Sequence, residues 1–370
     1  MTAYLDYNAT APIRPEALAA MTAALAEPGN ASSVHGPGRR ARRLIEEARA
    51  KVAALAGVEP SWVTFTSGGT EANNLALGGL PAARILVSAG EHDSVLQAAA
   101  QAQRIGLTPD GLVDLDALAA ALEGAPPQAA GGTLVSVMLA NNETGVIQPI
   151  AQVAALVRAA GAWLHCDAVQ AAGKIPLDML ALDADLMTLS AHKLGGPPGV
   201  GALLARPELP LAALQRGGGQ ERRRRAGTEN LAGIAGFGAA AETALEDLAE
   251  AQRLGELRDH FEHEIKSLAP GLQVFGGAAP RLPNTSCIAV AGLPAETQIM
   301  ALDLAGVAVS SGAACSSGKV QPSHVLSAMG VAPELAAGAI RVSLGWASTA
   351  EDVARLLAAW GDLYRRSRAA

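Results

Sequence analysis

The chain of 370 residues is half apolar, 3% aromatic and 17% charged, with 28 Lys+Arg against 35 Asp+Glu for a net charge of −7. This is the composition of a folded globular protein long enough for a large core and a smaller lobe, and it excludes a disordered chain or a general nucleic-acid surface. The start, MTAYLDYNATAPIRPE, lacks a basic region followed by an apolar run, and the longest uncharged stretch, GAPPQAAGGTLVSVMLANN, carries two prolines and three glycines, so neither a signal peptide nor a membrane span is expected. Three cysteines, Cys166, Cys287 and Cys315, are odd in number, far apart and without a CxxC pair, as befits reduced thiols in a cytoplasmic protein with no structural zinc.

From about residue 62 to 205 short β-rich runs alternate with helical ones, the pattern of a parallel sheet covered by helices. The runs are WVTFT (62–66), RILVS (84–88), TLVSVML (133–139), AWLHCD (162–167), DLMTLS (185–190) and VGALLAR (200–206). His92 follows the second, Asn142 the third, Asp167 closes the fourth and Lys193 follows the fifth. Ligands of open α/β sheets bind at the carboxyl ends of the strands, so four chemically useful groups are delivered to one edge. From 241 to 268 the apolar spacing of Leu245, Leu248, Leu254, Leu257, Phe261, Ile265 and Leu268 predicts one long amphipathic helix bridging two lobes. PNTSCIAVAG and AGVAVSSGAAC then read as strands of a smaller α+β lobe, closed by the helix EDVARLLAAWGDLYRRSR. The expected division is 14–250 for a large cofactor-binding domain, and 1–13 with 251–370 for a small domain carrying Cys315.

Three segments carry chemistry. TSGGTEANNLAL (66–77) leaves a strand and opens a helix; its glycines, Thr70 and the free N–H groups of the first turn form an anion cup, without the Gly-Lys-Ser/Thr of a nucleotide-triphosphate loop. SAHKLGGPPGVGALL (190–204) puts Lys193 in a Gly/Pro-rich turn, where a buried lysine must be charge-paired or used covalently, as in a Schiff base with an aldehyde cofactor. HCDAVQAAGK (165–174) ends a strand at Asp167, a carboxylate able to keep a pyridine nitrogen protonated. Alone, the first reads equally as an ordinary helix cap, while Lys193 reads more readily as a surface lysine in a turn and Asp167 as a helix N-cap. Together, phosphate cup, strand-end Asp and turn Lys match pyridoxal 5′-phosphate.

The segments LDYNATAPI, GNASSVHGPGR, TSGGTEANN, ANNETGVIQPI, CDAVQAAGKIPLD, SAHKLGGPPGVG, GGGQERRRRAGTEN, SSGAACSSG and IRVSLG resemble, nearly end to end, the cysteine desulfurases of the NifS/IscS family, within the class V aminotransferases of fold type I. The resemblance implies an α/β, mostly parallel seven-stranded-type sheet between helices. It implies Lys193 as Schiff-base lysine and proton shuttle, Asp167 on the pyridine nitrogen, Gln170 on the phenolic oxygen and His92 stacked on the ring. Gly69, Thr70, Ser190 and His192 match phosphate ligands, and Thr228 matches a residue reaching the neighbouring subunit's phosphate, hence a homodimer. Asn142 and Arg341 match groups that orient the substrate, Arg341 clamping its carboxylate. Asn8, Asn30 and His35 fall in matching segments without an assigned role.

Cys315, in the small, polar, Gly-bearing SSGAACSSGK, matches the thiol that takes sulfur from L-cysteine, leaving L-alanine and a persulfide; Cys166 and Cys287 read as small core residues. No resident metal is implied, the single metal contact being an iron–sulfur cluster shared transiently by Cys315 and a scaffold partner. The expected partners are a sulfur-acceptor or iron–sulfur scaffold protein, with no nucleic acid and no membrane. The chain stops at GDLYRRSRAA, earlier than housekeeping members whose tails dock scaffold partners, so the acceptor's identity stays open. The run Arg222 to Arg225 reads as a solvated face or subunit contact. Selenocysteine cleavage, another class V reaction and a non-catalytic scaffold are the alternatives; Cys315 argues against simple transamination, and the presence of Lys193, Asp167, His92 and Cys315 against the scaffold.

Overall fold

The computed structural model describes residues 2–126, 131–311 and 323–369. After a short strand β1 (Ala3–Tyr4), seven strands form the central sheet: β2 (Val63–Thr66), β3 (Arg84–Ser88), β4 (Gln103–Ile105), β5 (Thr133–Ser136), β6 (Trp163–Asp167), β7 (Leu186–Ser190) and β8 (Gly201–Ala205). Their order is β2-β8-β7-β6-β5-β3-β4, and all neighbours run parallel except β8, which is antiparallel to both β2 and β7. The expected mostly parallel seven-stranded sheet is therefore present, with β4, which lies outside the six apolar runs, added at an edge.

Consecutive residues of these strands go to opposite faces, and each face has its own core. Leu86, Val135, Leu164, Met187 and Leu204 join one cluster, with Phe65 and Phe237, while Val87, Leu134, Trp163, Leu186 and Leu203 join another with Leu75 and Leu96. Covered on both faces, β2 and β5 to β8 are buried along their whole length, which is why they read as apolar runs rather than alternating ones.

The remaining strands are β9 (Gln273–Val274), β10 (Thr285–Ala289), β11 (Val307–Ala308), β12 (Ser310–Ser311) and β13 (Ile340–Ser343). Four form an antiparallel sheet in the order β12-β13-β10-β9, and β11 pairs in parallel with β1 at the start of the chain. A separate hydrophobic cluster gathers Ala3 and Leu5 with Leu254, Phe261, Ile265, Ile288, Val342, Leu356 and Trp360. Helices Ala251–Leu268 and Ala350–Ala369 pack on it.

One expectation fails here. The single helix over 241–268 is two helices, Leu231–Glu246 and Ala251–Leu268, joined by a 3-10 turn at Asp247–Glu250. Nothing in the turn's own residues opposes a helix; Asp247 is held by Arg14 at 2.6 Å, a contact from far along the chain. Leu254, Phe261 and Ile265 are buried, but Leu245 and Leu268 are exposed, so the apolar face is shorter than its spacing promised.

Candidate active site

A cavity of about 680 Å³ opens at the carboxyl edge of the central sheet, facing β12 and β13. Gly69, Thr70, His92, Asn142, Asp167, Gln170, Ser190, His192, Lys193 and Arg341 all line it. Thr228 does not; it lies exposed on the surface of the chain, beyond the arginine run. Cys315 lies outside the described residues, but Ser310 and Ser311, which precede that stretch, line the cavity.

The cup forms where β2 gives way to helix Gly69–Gly79. Its N-cap is Gly68, which has no side chain to satisfy the first turn, so the helix start lacks a side-chain cap. The turn is seated from below by the start of β8: a Cβ on Gly201 would lie 2.6 Å from the Gly68 carbonyl carbon. Outside the cup, Glu71 accepts from the Ser67 N–H at 2.7 Å and pairs with Arg225 at 3.0 Å. The arginine run is thus partly a brace: Arg225 holds the cup helix, and Arg222 donates to the carbonyls of Pro60 and Ser61.

Asp167, at the end of β6, is buried and accepts from the Val169 N–H at 2.9 Å and from Asn73 Nδ2 at 2.8 Å. The same Asn73 nitrogen donates to Ser94 Oγ at 2.8 Å. Ser94 in turn lies 2.8 Å from His92 Nδ1, which also accepts from the Ser94 N–H at 3.1 Å. With Nδ1 accepting from a backbone donor, the neutral ring of His92 carries its proton on Nε2. Asn73, a residue of the TSGGTEANN segment given no role from sequence, therefore ties Asp167 to His92.

Lys193 sits in the 3-10 turn Ala191–Lys193 after β7. Its Nζ donates to the backbone carbonyls of Asn8 at 2.6 Å and Ala9 at 2.8 Å. Burial, helped by the nearby Arg341 charge and opposed by Asp6 and Asp167, pushes this amine down to about 8. Burial and Lys193 likewise push His192 down to about 4, so its ring is neutral at pH 7. Below them His165 is fully buried between Ser136 and Thr188, its pKa also pushed down to about 4 by burial.

On the other side Arg341, on β13, donates to Asp6 Oδ1 at 2.8 Å and to the Asn142 carbonyl at 3.0 Å, while its buried Nε has no partner among the described residues. Asn8 is the meeting point of both sides. Its carbonyl takes Lys193 and, at 3.0 Å, Gln170 Nε2; its side chain donates to Thr285 Oγ1 at 2.9 Å and to the Asn142 carbonyl at 3.2 Å. Asn30 and His35 have local work instead: Asn30 accepts from the Ser32 N–H, and His35 caps the helix Gly36–Leu55. Cys166 and Cys287 are fully buried, and burial pushes both thiols far above their ordinary range, as core residues.

An α/β sheet that brings an anion cup, a buried carboxylate, a lysine of lowered pKa and an arginine into one cavity is the framework of an enzyme acting on a small anionic molecule. The chain belongs to the class-V aminotransferase family, which it matches over residues 3–356. It is 47% identical to a cysteine desulfurase of Cereibacter sphaeroides, with 96% of this chain and 93% of that protein covered. It is 42% identical to a cysteine desulfurase IscS of Dictyoglomus turgidum, over 95% of this chain and 91% of that protein. Among solved structures it superposes on a NifS-like protein of Rickettsia africae with a TM-score of 0.92 at 35% identity, covering 99% of this chain and all of the other.

Proposed function

We propose that this protein is a pyridoxal 5′-phosphate-dependent cysteine desulfurase that converts L-cysteine to L-alanine and holds the sulfur as a persulfide on Cys315. The observation that carries the reading is the convergence of Lys193, Asp167, the Thr70 cup and Arg341 on one cavity.

The donor set fits the cofactor. The uncapped first turn at Gly69 and Thr70, with Ser190 and the neutral His192 beside it, suits a phosphate. Asp167 keeps acceptor capacity beyond its two bonds for a protonated ring nitrogen. Gln170 spends one amide hydrogen on Asn8 and has a second for the phenolic oxygen. A lysine at its usual pKa is neutral about once in a few thousand molecules at pH 7, but near 8 it is neutral about one time in ten. When bound, the cofactor supplies an aldehyde that condenses with amines and a cationic ring that draws electrons from the substrate's α carbon.

The chain's own groups do the rest. Arg341 binds the substrate carboxylate, with Asn142 beside it, and Lys193 Nζ moves protons at the substrate. His92, its Nε2 proton available to the cavity and its Nδ1 fixed by Ser94, assists that transfer. Cys315 attacks as thiolate: a sulfur–sulfur bond forms as the carbon–sulfur bond breaks, the released electron pair stays on the β carbon, and that carbon takes a proton. Cysteine and one enzyme thiol thus become alanine and one enzyme persulfide, with no external oxidant. The exposed Thr228 completes the phosphate site of a second copy in a homodimer. The persulfide passes to a sulfur-acceptor or iron–sulfur scaffold protein in the cytoplasm.

Alanine release by three variants, with mass spectrometry of the protein, tests this. Cys315→Ser is expected to take up the cofactor yet release no alanine, whereas Cys166→Ser and Cys287→Ser retain turnover. An added sulfur on Cys166 or Cys287, with Cys315 unmodified, would overturn the assignment.

A further inference from the structure

Lys174 is a second buried amine beside the cavity, and the chemistry above does not use it. It follows β6 in the turn that carries Gln170, and its Nζ donates to Gln170 Oε1 at 2.7 Å and to Asn8 Oδ1 at 2.9 Å. Gln170 Nε2 faces the other way, donating to the Asn8 carbonyl at 3.0 Å. That carbonyl can only accept and the Lys174 amine donates to the oxygen end, so the two partners together fix how the Gln170 amide is turned.

We infer that Lys174 is a positioning residue of the cofactor site: it anchors the oxygen of Gln170 so that this side chain offers an N–H, not a C=O, to the phenolic oxygen of pyridoxal 5′-phosphate. The inference rests on the cofactor reading above. Lys174 suits the task because its amine meets one acceptor on each side, Gln170 Oε1 and Asn8 Oδ1. Burial and the charges of Lys193 and Arg341 push its pKa well below the usual lysine range. A neutral amine has two hydrogens, and two acceptors take them. A permanently charged residue here would bring a third unsatisfied hydrogen and repel Lys193; an apolar one would leave Gln170 Oε1 buried and unpaired.

The donor to the phenolic oxygen sets the pH at which the visible band of the loaded protein titrates, so that midpoint reads the role without recourse to turnover. Lys174→Met, Gln170→Ala and the double variant are titrated alongside the unaltered protein. The expected result is a shift of about half to one pH unit for each single variant, in the same direction, with no further shift in the double variant. Lys174→Gln, one bond too short to reach both acceptors, is expected to shift the band likewise and serves if the methionine variant fails to fold. A lowered melting temperature with the midpoint unmoved would reduce Lys174 to packing and overturn the inference, as would shifts that add in the double variant. If the unaltered protein takes up no pyridoxal 5′-phosphate, the cofactor reading itself fails, a result distinct from either.

Discussion

The two walls of the cavity are built by different means. On the sheet side, Asp167, Lys193 and the cup are set by strand ends, and Asn73 links Asp167 to Ser94 and His92 within one short span of hydrogen bonds. On the other side, Asn8, Asp6, Glu143 and Arg341 come from loops and from β13, and they meet partners up to 335 residues away. The first wall is preorganised by backbone that the core already fixes. The second exists only where distant parts of the chain are brought together, so its groups double as fasteners between the two hydrophobic clusters.

If the sheet wall works as a unit, Asn73→Ala is expected to cost the most. It removes donors from both Asp167 and Ser94, and hydrogen bonds to charged groups contribute about 1.5–3 kcal/mol, so turnover should fall roughly 10- to 150-fold with cofactor still bound. Steady-state rates within twofold of the unaltered protein would show that the link is not used.

The second wall is probed by Glu143, buried against Ser323 with a 2.5 Å hydrogen bond. Burial raises this carboxyl from 4.5 to about 7, against the opposing pull of Ser323 and Arg341. The folded protein binds that proton more tightly than the unfolded chain does. The resulting stabilisation is complete below about pH 4.5 and is lost as pH rises through about 7. Glu143→Gln should therefore flatten the stability profile across this window by roughly 2–3 kcal/mol, read by urea melts at several pH values. An unchanged slope would place the titration elsewhere.

The smallest effect is expected at Asp6, which pairs with Arg341 at 2.8 Å and, on the function proposed above, would compete there with a substrate carboxylate. Asp6→Asn keeps a hydrogen-bond acceptor and removes the charge. At roughly 1 kcal/mol for a partly solvated pair, KM for cysteine should fall several-fold while kcat holds. A raised KM would show that Asp6 orients the guanidinium more than it competes.

The same contrast explains what the sequence disclosed. Asp167, Lys193 and His92 were legible because each stands just after an apolar run, and strand ends point at the site whatever the rest of the chain does. Asn73 was not, since an uncharged amide in a helical segment carries no local signal. Asp6 and Asn8 were harder still: they precede any periodic element, and their partners on β10 and β13 are supplied by the tertiary fold. The same holds for the broken helix at Asp247–Glu250, where the residues favour continuation and a contact from Arg14 accompanies the break.

The two functions of Asn8 fall on different parts of the residue. Its amide side chain meets Thr285, Asn284 and Lys174, whereas Lys193 and Gln170 bond to its main-chain oxygen. Every amino acid supplies that oxygen. A saturation screen at this position will thus score the fastening of the two regions and the hold on Lys174, and remain blind to the support of Lys193, which an insertion or deletion in the first ten residues, by moving the oxygen itself, can reveal.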